Sequence, residues 1–522
     1  MKKIDNIKLA VGESEDNLIL KAAKIAKIKV GSVKTFRILR KSLDARDKNA
    51  MFYTYNVEIS EYEEKEQPKK YPSARGEVAV IGAGPCGLFC ALYLARCGMK
   101  PVVFERGLPV DERKKLTDDF SSGGKLNTEC NIQFGEGGAG AFSDGKLNTQ
   151  VNNGLVKQVL EDFAGFGAPQ EIVYLSGPHI GSDKLPSVIK NIRKEIIALG
   201  GEFVFGAKVS DFTIENGEIR SIKYVKDGTE CERMFSDVVL AIGHSSRDTF
   251  EKLNKLGVRM EKKAFAVGFR IEHLQSDISR SQYGEKFSLL PPATYRLASH
   301  AGERDVFTFC MCPGGYVMAA SSEVGCLTVN GMSEYKRDGV NANSAIVCRV
   351  DERDFIGDDA LGGVRFQREA ERKAYNLGGG DYKAPVQLVR DYLAGRQSFG
   401  FGAVKPTYPR GVNFAPLDGV FCDGINKSIR AAITDMGKKI KGFDDGDGVL
   451  TAVESRTSSP VRIVRDKTCE SVNVRGLYPA GEGAGYAGGI TSAAADGIRV
   501  ALAVAERHST DSRNADNAKQ HI

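Results

Sequence analysis

Three glycines near residue 84 have the spacing of a phosphate-binding turn. Gly82, Gly84 and Gly87 follow the apolar run 77–81, and Glu105 closes the next apolar run. In a strand–turn–helix unit the first glycine allows a tight turn, the second lets a pyrophosphate approach the backbone, and the third lets helix and strand pack closely. The start of the helix adds unpaired N–H groups and a positive dipole end. We therefore expect an ADP moiety here, with Glu105 on its ribose.

Several further segments indicate that the dinucleotide is FAD rather than NAD. Residues 105–107, the apolar strand 237–243 and the segment 477–483 resemble the corresponding parts of FAD-binding enzymes of the glutathione-reductase type. That resemblance implies that Glu482, where most relatives carry Asp, contacts the ribityl chain. It also implies that the last helix starts at the flavin pyrimidine, where its dipole would stabilise negative charge.

The glycine-rich segment 135–146 is expected to lie along the same cofactor; a surface loop is the alternative. For the start of the last helix, the alternative is a glycine-rich packing contact. The residues predicted to bind FAD are Gly82, Ala83, Gly84, Pro85, Cys86, Gly87, Glu105, Arg106, Gly138, Ala139, Ser143, Asp144, Gly243, Gly481, Glu482, Gly488, Gly489 and Ile490.

Four segments carry a closer family resemblance. They are residues 134–147, 309–315, 454–463 and 481–489. Together they resemble the bacterial FAD-dependent dehydrogenases known as NAD(FAD)-utilising, over residues 1 to about 505. The resemblance implies a fold and FAD, but no substrate. Because no second GxGxxG stands in a strand–helix context, we expect NAD(P)H to act, if at all, as a transiently bound electron donor.

Two cysteines and two histidines are candidates for catalysis. Cys310 and Cys312 share one face of an extended run, and they form either a redox thiol pair or part of the pocket wall. Buried small hydrophobes are the alternative. His179 and His244 stand on glycine-flanked turns and suit a general acid or base; a structural hydrogen-bonding role is the favoured alternative.

A run of hydroxyls and cations at 456–462 is suited to an anionic substrate group. Guanidinium forks match carboxylates and phosphates, and a surface loop with salt bridges is the alternative. The predicted substrate-binding residues are Arg456, Ser458, Ser459 and Arg462.

Composition excludes several classes of protein. The chain has 522 residues, 42% of them hydrophobic and 27% charged, which is typical of a globular protein. No apolar run approaches the roughly 20 residues of a membrane helix, and the basic start leads into no secretory signal. Eleven cysteines without a CxxC pair indicate neither a disulfide framework nor a zinc site. We therefore expect no metal and a cytoplasmic location.

The order of the elements predicts an α/β protein. Residues 77–105 read as a βαβ unit, and a charged stretch at 61–70 reads as a linker. We expect a Rossmann-type FAD-binding domain with an inserted mixed α+β substrate domain and a small N-terminal α/β domain. The predicted boundaries are 1–72 for the small basic domain, 76–255 and 451–506 for the two parts of the FAD-binding domain, 256–450 for the inserted substrate domain and 507–522 for a polar tail.

The net charge of +6 belongs to the N-terminal unit, because residues 1–75 hold 17 Lys and Arg against 11 Asp and Glu. A run of cations in this unit would suit RNA phosphates. A solvated surface is the favoured interpretation, because few aromatic side chains interleave the cations. The cations between residues 17 and 42 are Lys21, Lys24, Lys27, Lys29, Lys34, Arg37, Arg40 and Lys41.

These features predict an FAD-dependent oxidoreductase that transfers hydride through flavin N5 to or from a small, anionic substrate. Two alternatives stay open. One is a flavoprotein that binds or modifies RNA through its N-terminal unit, and the other is a flavin redox sensor without turnover. The sequence does not define the oligomeric state.

Overall fold

The computed structural model describes residues 1–63, 69–147 and 154–509. Residues 64–68 of the predicted linker and 510–522 of the predicted tail lie outside the described residues, as do 148–153.

The N-terminal unit is a three-stranded antiparallel sheet covered by one helix. The central strand is the third in the chain, paired with the other two. Leu18, Ala22 and Ala23 recur at helical spacing and bury one face of the helix against this sheet. The elements are β1 (Lys2–Ala10), α1 (Asp16–Ala26), β2 (Thr35–Asp44) and β3 (Phe52–Ser60).

The next part of the chain contains the predicted βαβ unit. Its first two strands are parallel neighbours joined by a helix. A separate antiparallel ribbon of three strands follows further along. The elements are β4 (Glu77–Ile81), α2 (Pro85–Arg96), β5 (Lys100–Glu105), α3 (Val110–Ser121), α4 (Gly154–Gly165), α5 (Leu185–Ala198), β6 (Glu202–Phe205), β7 (Ala207–Glu215), β8 (Glu218–Lys226), β9 (Thr229–Met234), β10 (Val238–Leu240) and α6 (Arg247–Lys255).

A large mixed sheet dominates the region after residue 260. Its elements are β11 (Met260–Lys262), β12 (Phe265–Leu274), α7 (Gln275–Tyr283), β13 (Ala298–Ser299), β14 (Val306–Cys312), β15 (Tyr316–Ala319), β16 (Val329–Met332), β17 (Asn341–Val350), α8 (Gly362–Leu377), β18 (Ala384–Leu388), α9 (Val389–Leu393), β19 (Val412–Phe414), α10 (Asp423–Lys439) and β20 (Val449–Glu454). Seven strands pair in the order β13-β14-β17-β12-β20-β18-β19. All of these pairs are antiparallel except β18 with β19.

The chain then returns to the parallel sheet that contains β4 and β5. The last elements are β21 (Val461–Ile463), β22 (Leu477–Pro479) and α11 (Ile490–Arg507). The parallel sheet has the order β22-β10-β4-β5-β6. The chain leaves β4 for β5 on one side, while β10 lies on the other side. The carboxyl ends of β4 and β10 therefore border a crevice of the kind in which α/β proteins bind ligands.

Strand pairing bears on the predicted division at residue 450. That division falls inside β20, which pairs with β12 and β18 of the seven-stranded sheet. Pairing therefore favours a division after Glu454, because a strand belongs with the sheet that satisfies its backbone groups. A sequence pattern cannot show this, because the partners of β20 lie more than 60 residues away in the chain.

Candidate functional site

The turn between β4 and α2 has the geometry expected of a phosphate cradle. Gly82 has a φ of 102°, and a Cβ on Gly87 would lie 1.8 Å from the Gly82 carbonyl oxygen. Both positions therefore require glycine. By contrast, a Cβ on Gly84 would meet nothing closer than 3.8 Å, and this residue faces a cavity. No side chain caps the start of α2, which leaves its first N–H groups open to a ligand.

The cavity beside this turn has a volume of about 1750 Å³. Pockets for small ligands usually hold about 300–1,000 Å³, so there is room for a large cofactor and a second molecule. Its walls come from the ends of β4, β5 and β10, from segment 134–146, from β14 and from the start of α11. Lys41 and Tyr53 of the N-terminal unit also line it.

Most of the predicted FAD-binding residues line this cavity. They are Gly82, Gly84, Pro85, Cys86, Glu105, Arg106, Gly138, Ala139, Ser143, Asp144, Gly243, Glu482, Gly488, Gly489 and Ile490. Ala83, Gly87 and Gly481 do not line it. Gly87 packs instead against Gly82, and Gly481 lies so close to Cys86 that a Cβ would be 2.8 Å from its sulfur. These three residues therefore lie beside the turn and not at the cavity wall.

The side chains of Glu105 and Arg106 differ in how much hydrogen-bonding capacity their protein partners leave free. The Glu105 carboxylate accepts N–H bonds from Ala83, Gly107 and Gly135, and it keeps lone pairs for a hydroxyl at the cavity wall. The Arg106 guanidinium is bonded to Asp248 and Glu129. Arg106 therefore contributes shape and packing to the wall rather than a free charge.

Arg113 fixes the glycine-rich segment, and sequence reasoning missed it. This fully buried side chain donates to the carbonyl oxygens of Asn131, Ile132 and Glu136 at 2.7–2.9 Å, as well as to those of Gly135 and Gly138. Burial lowers its pKa to about 10. An arginine in the charged run of α3 reads as a solvated position, so the sequence carries no signal for this role.

A charged cluster forms one wall near the end of this segment. Asp144 is bonded to Arg337 at 2.6 Å and lies 3.3 Å from the Lys146 ammonium. Arg270, which is fully buried, lies 3.3 Å from Glu454. Burial raises the pKa of Glu454 to about 7, although Arg270 opposes that rise. Sequence reasoning selected only Asp144 from this cluster. Arg270, Arg337 and Glu454 come from distant elements, and Lys146 is a polar residue of the same segment as Asp144.

Cys310 and Cys312 lie at the end of β14 next to that cluster. Cys310 is half-buried and lines the cavity, whereas Cys312 is buried behind it. Arg270 donates to the Cys310 carbonyl oxygen at 2.6 Å and lies 3.4 Å from the Cys312 sulfur. The Lys146 ammonium lies 3.9 Å from the same sulfur. The pair therefore sits among cations at the cavity wall.

Both candidate histidines reach the cavity, with different surroundings. His179 donates its Nε2–H to the Tyr335 carbonyl oxygen at 3.0 Å, and its ring stacks on the Tyr335 ring. Burial lowers its pKa. His244 hydrogen-bonds Ser245, and burial together with Arg456 and Arg247 lowers its pKa to about 3. At neutral pH His244 is therefore unprotonated and a weak base, which argues against both a general-acid and a general-base role.

The predicted substrate-binding run is largely occupied by the protein itself. Arg456 lines the cavity, but its guanidinium donates two hydrogen bonds of 2.8–2.9 Å to the Glu371 carboxylate. Ser458 accepts a bond from Lys263, and Ser459 bonds backbone carbonyl groups. Arg462 is exposed. The structure therefore does not bring Ser458, Ser459 or Arg462 to the cavity wall.

Glu371 is the centre of a buried ionic network. Its two oxygens also accept from Arg247 at 2.7 and 3.0 Å. Glu371, Glu323 and Cys326 lie close enough to share a metal ion. However, Arg247 and Arg368 bind Glu323, and two arginines bind Glu371. The carboxylates are therefore already neutralised by guanidinium groups, and the absence of a metal stays a prediction.

The start of α11 completes the cavity. The helix begins after Gly489 without a side-chain cap, and Cβ atoms on Gly488 and Gly489 would meet nothing within 4 Å. Glu482 lines the cavity, and burial raises its pKa to about 7 while Lys263 opposes the rise. Open glycines, two uncapped helix ends and a carboxylate on one cavity suit a dinucleotide with a pyrophosphate. The residues present therefore fit FAD.

Comparison with known proteins gives matches over nearly the whole chain. Residues 264–457 match the family described as FAD-dependent protein, C-terminal domain-like, and residues 1–60 match a domain family of unknown function. A Clostridium beijerinckii protein, described only as uncharacterized, is 44% identical over 97% of this chain and 98% of its own length.

Two other matches are partial or distant. A thiamine thiazole synthase of Saccharolobus islandicus is 47% identical over 53 residues, 10% of this chain and 20% of that protein. A solved structure of a geranylgeranyl bacteriochlorophyll reductase-like protein from Thermoplasma acidophilum superposes with a TM-score of 0.37. It has 13% identity and covers 86% of this chain and 84% of its own. Among the described residues, no helix is long and apolar enough to cross a membrane.

Proposed function

We propose that this chain, which belongs to the same family as the Clostridium beijerinckii protein and carries an FAD-dependent C-terminal domain, is an oxidoreductase acting on a small anionic substrate. The observation that carries the proposal is the cavity beside the β4–α2 turn. It has a phosphate cradle at the β4–α2 turn and a cationic cluster around Lys146 and Arg270.

FAD is the cofactor of this family, and we assign it to the cavity in the manner of glutathione-reductase-type enzymes. Gly84 and the start of α2 would hold the pyrophosphate, Glu105 the adenosine ribose and Glu482 the ribityl chain. Bound FAD supplies hydride transfer at N5. With FAD bound in this way, the start of α11 would face the region where negative charge develops, and its open N–H groups would stabilise that charge.

Charge at the opening of the cavity favours an anionic substrate. Arg296 and Arg349 are exposed and line it. Within the described ranges, neither guanidinium has an acidic partner within 4.0 Å. Guanidinium forks bind carboxylates and phosphates in two-point geometry. Their position at the rim would draw such a group inward.

Glu454 is the residue best placed to hold or move a proton during the reaction. It lines the cavity, lies on β20 and is held 3.3 Å from Arg270. With a pKa of about 7 it changes charge within the physiological range. His244, with its lowered pKa, is less suited to that task.

Anaerobic rapid mixing tests the proposal. The FAD-loaded protein is mixed with NADH or NADPH while the visible flavin absorption is followed. We expect either NADH or NADPH to bleach the flavin absorption within seconds. Because the sequence contains no second dinucleotide-binding motif, the donor must reach the flavin through the open cavity. Retained absorption with both donors would contradict a nicotinamide donor and would favour the redox-sensor alternative.

Variants of the cavity opening sharpen the test. Arg296→Gln with Arg349→Gln is expected to raise the donor concentration needed for half-maximal bleaching at least threefold. Arg353→Gln is the matched control, because Arg353 is exposed but paired with Asp351 at 2.9 Å. Equal effects of the two variants would contradict a role for the opening in anion capture.

A further inference from the structure

We propose that Cys310 and Cys312 form a second two-electron centre, a dithiol that exchanges electrons with the flavin. This inference rests on the proposed function, since it requires FAD in the cavity. It adds a redox site, formed by residues of the chain itself, to the one that the cofactor supplies.

The backbone of β14 brings the two thiols together. In a regular strand, residues i and i+2 are about 6.6 Å apart, close to the upper limit for a disulfide. Here the pairing of β14 with β17 shifts register between Phe309 and Cys312, and Cys310 has a left-handed φ of 44°. The Cys312 thiol lies beside Cys310 and donates to its carbonyl oxygen at 3.3 Å. A non-glycine residue is strained in this conformation, so the surrounding structure must hold Cys310 in place.

The charges around the pair favour one thiolate. Among the described residues, the ion pairs of three cations, Lys146, Arg270 and Arg337, involve two carboxylates, those of Asp144 and Glu454. A Cys310 thiolate would balance the remaining positive charge. The hydrogen bond from Cys312, with Lys146 and Arg270, lowers the pKa of Cys310, whereas burial raises the pKa of Cys312. An accessible thiolate beside a buried thiol is the arrangement of exchanging dithiols.

The pair also lies beside the part of the cavity assigned to the flavin. Lys146 contacts Cys312, and the next residue, Leu147, accepts a 2.8 Å hydrogen bond from Thr491 in the first turn of α11. Cys310 and Cys86 are the two of the eleven cysteines that line the cavity. Cys86 lies instead on α2 at the phosphate cradle, where burial raises its pKa.

The exchange balances without a further reactant. The Cys312 S–H bond breaks, a bond forms between the two sulfurs, and the pair loses two electrons and one proton. The flavin takes up those two electrons and that proton. The reverse reaction returns the Cys310 thiolate and the Cys312 thiol.

Counting electrons tests the proposal. The FAD-loaded protein is oxidised with ferricyanide, freed of it, and titrated anaerobically with dithionite. We expect the wild-type protein to take up four electrons per FAD, and Cys310→Ser or Cys312→Ser to take up two. Cys422→Ser, which removes an exposed cysteine, should still take up four. Uptake of two electrons by the wild-type protein would overturn the proposal.

A second measurement does not depend on the variants. Differential alkylation and peptide mapping of the wild-type protein should find a Cys310–Cys312 disulfide after ferricyanide and both free thiols after full reduction. Two free thiols in both states would overturn the dithiol. A protein that shows no visible flavin absorption after FAD is added and the excess is removed would instead refute the proposed function. Failure of the dithiol and failure of the proposed function are therefore distinguishable.

Discussion

Cys310 should react as a thiolate at a pH where ordinary cysteines do not. Its pKa is lowered by the Cys312 hydrogen bond and by Lys146 and Arg270, against opposition from burial and Asp144. A thiol with a pKa near 8.5 is about 1% ionised at pH 6.5, so its alkylation is about a hundredfold slower than at high pH. We expect alkylation of Cys310 by iodoacetamide to fall less than threefold between pH 8.5 and 6.5.

Exposed Cys422 provides the control within the same protein. Its alkylation, followed by mass spectrometry of the same samples, is the reference for the pH dependence at Cys310. A parallel loss at both positions would contradict a lowered pKa at Cys310.

Replacing Glu371 by Gln should destabilise the protein strongly. Arg247 and Arg456 are both buried and both bonded to this carboxylate, so its loss leaves Arg456 without an acidic partner and Arg247 with Glu323 alone. Breaking a buried pair in this way costs about 3–5 kcal/mol. Glu369→Gln, on the same helix but in an exposed pair with Lys373, should change the thermal midpoint little. Equal midpoints for the two variants would contradict the network.

The same carboxylate gives a pH dependence of defined sign. Burial alone would raise the pKa of Glu371, but Arg247 and Arg456 outweigh it and lower the pKa below its ordinary value of 4.5. The stabilisation is therefore complete above pH 4.5 and is lost as the pH falls below it. The difference in thermal midpoint between the wild-type protein and Glu371→Gln should narrow below pH 4.5. A constant difference down to pH 3 would refute this assignment.

Single residues show where sequence reasoning works. Gly82, Gly84 and Gly87 could be assigned because each role depends on neighbours within a few positions. Arg456 was expected to bind substrate, yet its guanidinium is held by Glu371, 85 residues earlier in the chain. Partners at that distance leave no local pattern, which is also why Arg113 and Glu454 were missed.

At the level of elements, the β4–α2 turn can be tested without disturbing the fold. Gly84 has an extended backbone (φ −73°) and no neighbour within 3.8 Å of an added Cβ, so Gly84→Val should fold normally. Its side chain would fill the space assigned to the pyrophosphate. We expect FAD affinity, measured by fluorescence titration, to fall at least tenfold, or about 1.4 kcal/mol.

Gly424→Val is the matched control, because Gly424 also stands at a helix start and has nothing within 4 Å of an added Cβ. This substitution should leave FAD affinity unchanged. Unaltered affinity in Gly84→Val would contradict the placement of the cofactor.

Elements formed by local sequence were predictable, and those defined by distant partners were not. The βαβ unit at 77–105 has its full signal within 30 residues. The edge of the inserted region depends on β20, whose partners β12 and β18 come much earlier in the chain. Apolar periodicity shows that 449–454 is a strand but not to which sheet it belongs.

For the whole molecule, the N-terminal unit is joined to the cavity rather than separate from it. Lys41 on β2 exchanges backbone hydrogen bonds with the 174–176 segment at 2.8 and 3.0 Å and lines the cavity. Lys41 is also paired with Glu15, and Lys21 is paired with Glu13. Part of the run of cations between residues 17 and 42 is therefore used within the unit itself.

This arrangement predicts weak RNA binding. A fluorescent single-stranded RNA should bind the protein only at low salt, through exposed lysines such as Lys24 and Lys27. It should dissociate at physiological salt. Fluorescence anisotropy across a salt series measures this. Tight binding at physiological salt, lost on Lys24→Gln with Lys27→Gln, would instead establish RNA as a partner.

The central claim is that one FAD occupies the cavity between the β4–α2 turn and α11. Its most direct test is the flavin content of the purified protein after saturation with FAD and removal of the excess. We expect one FAD per chain, with cofactor fluorescence quenched by the protein. A chain that stays free of flavin, or that releases it all on desalting, would contradict the account.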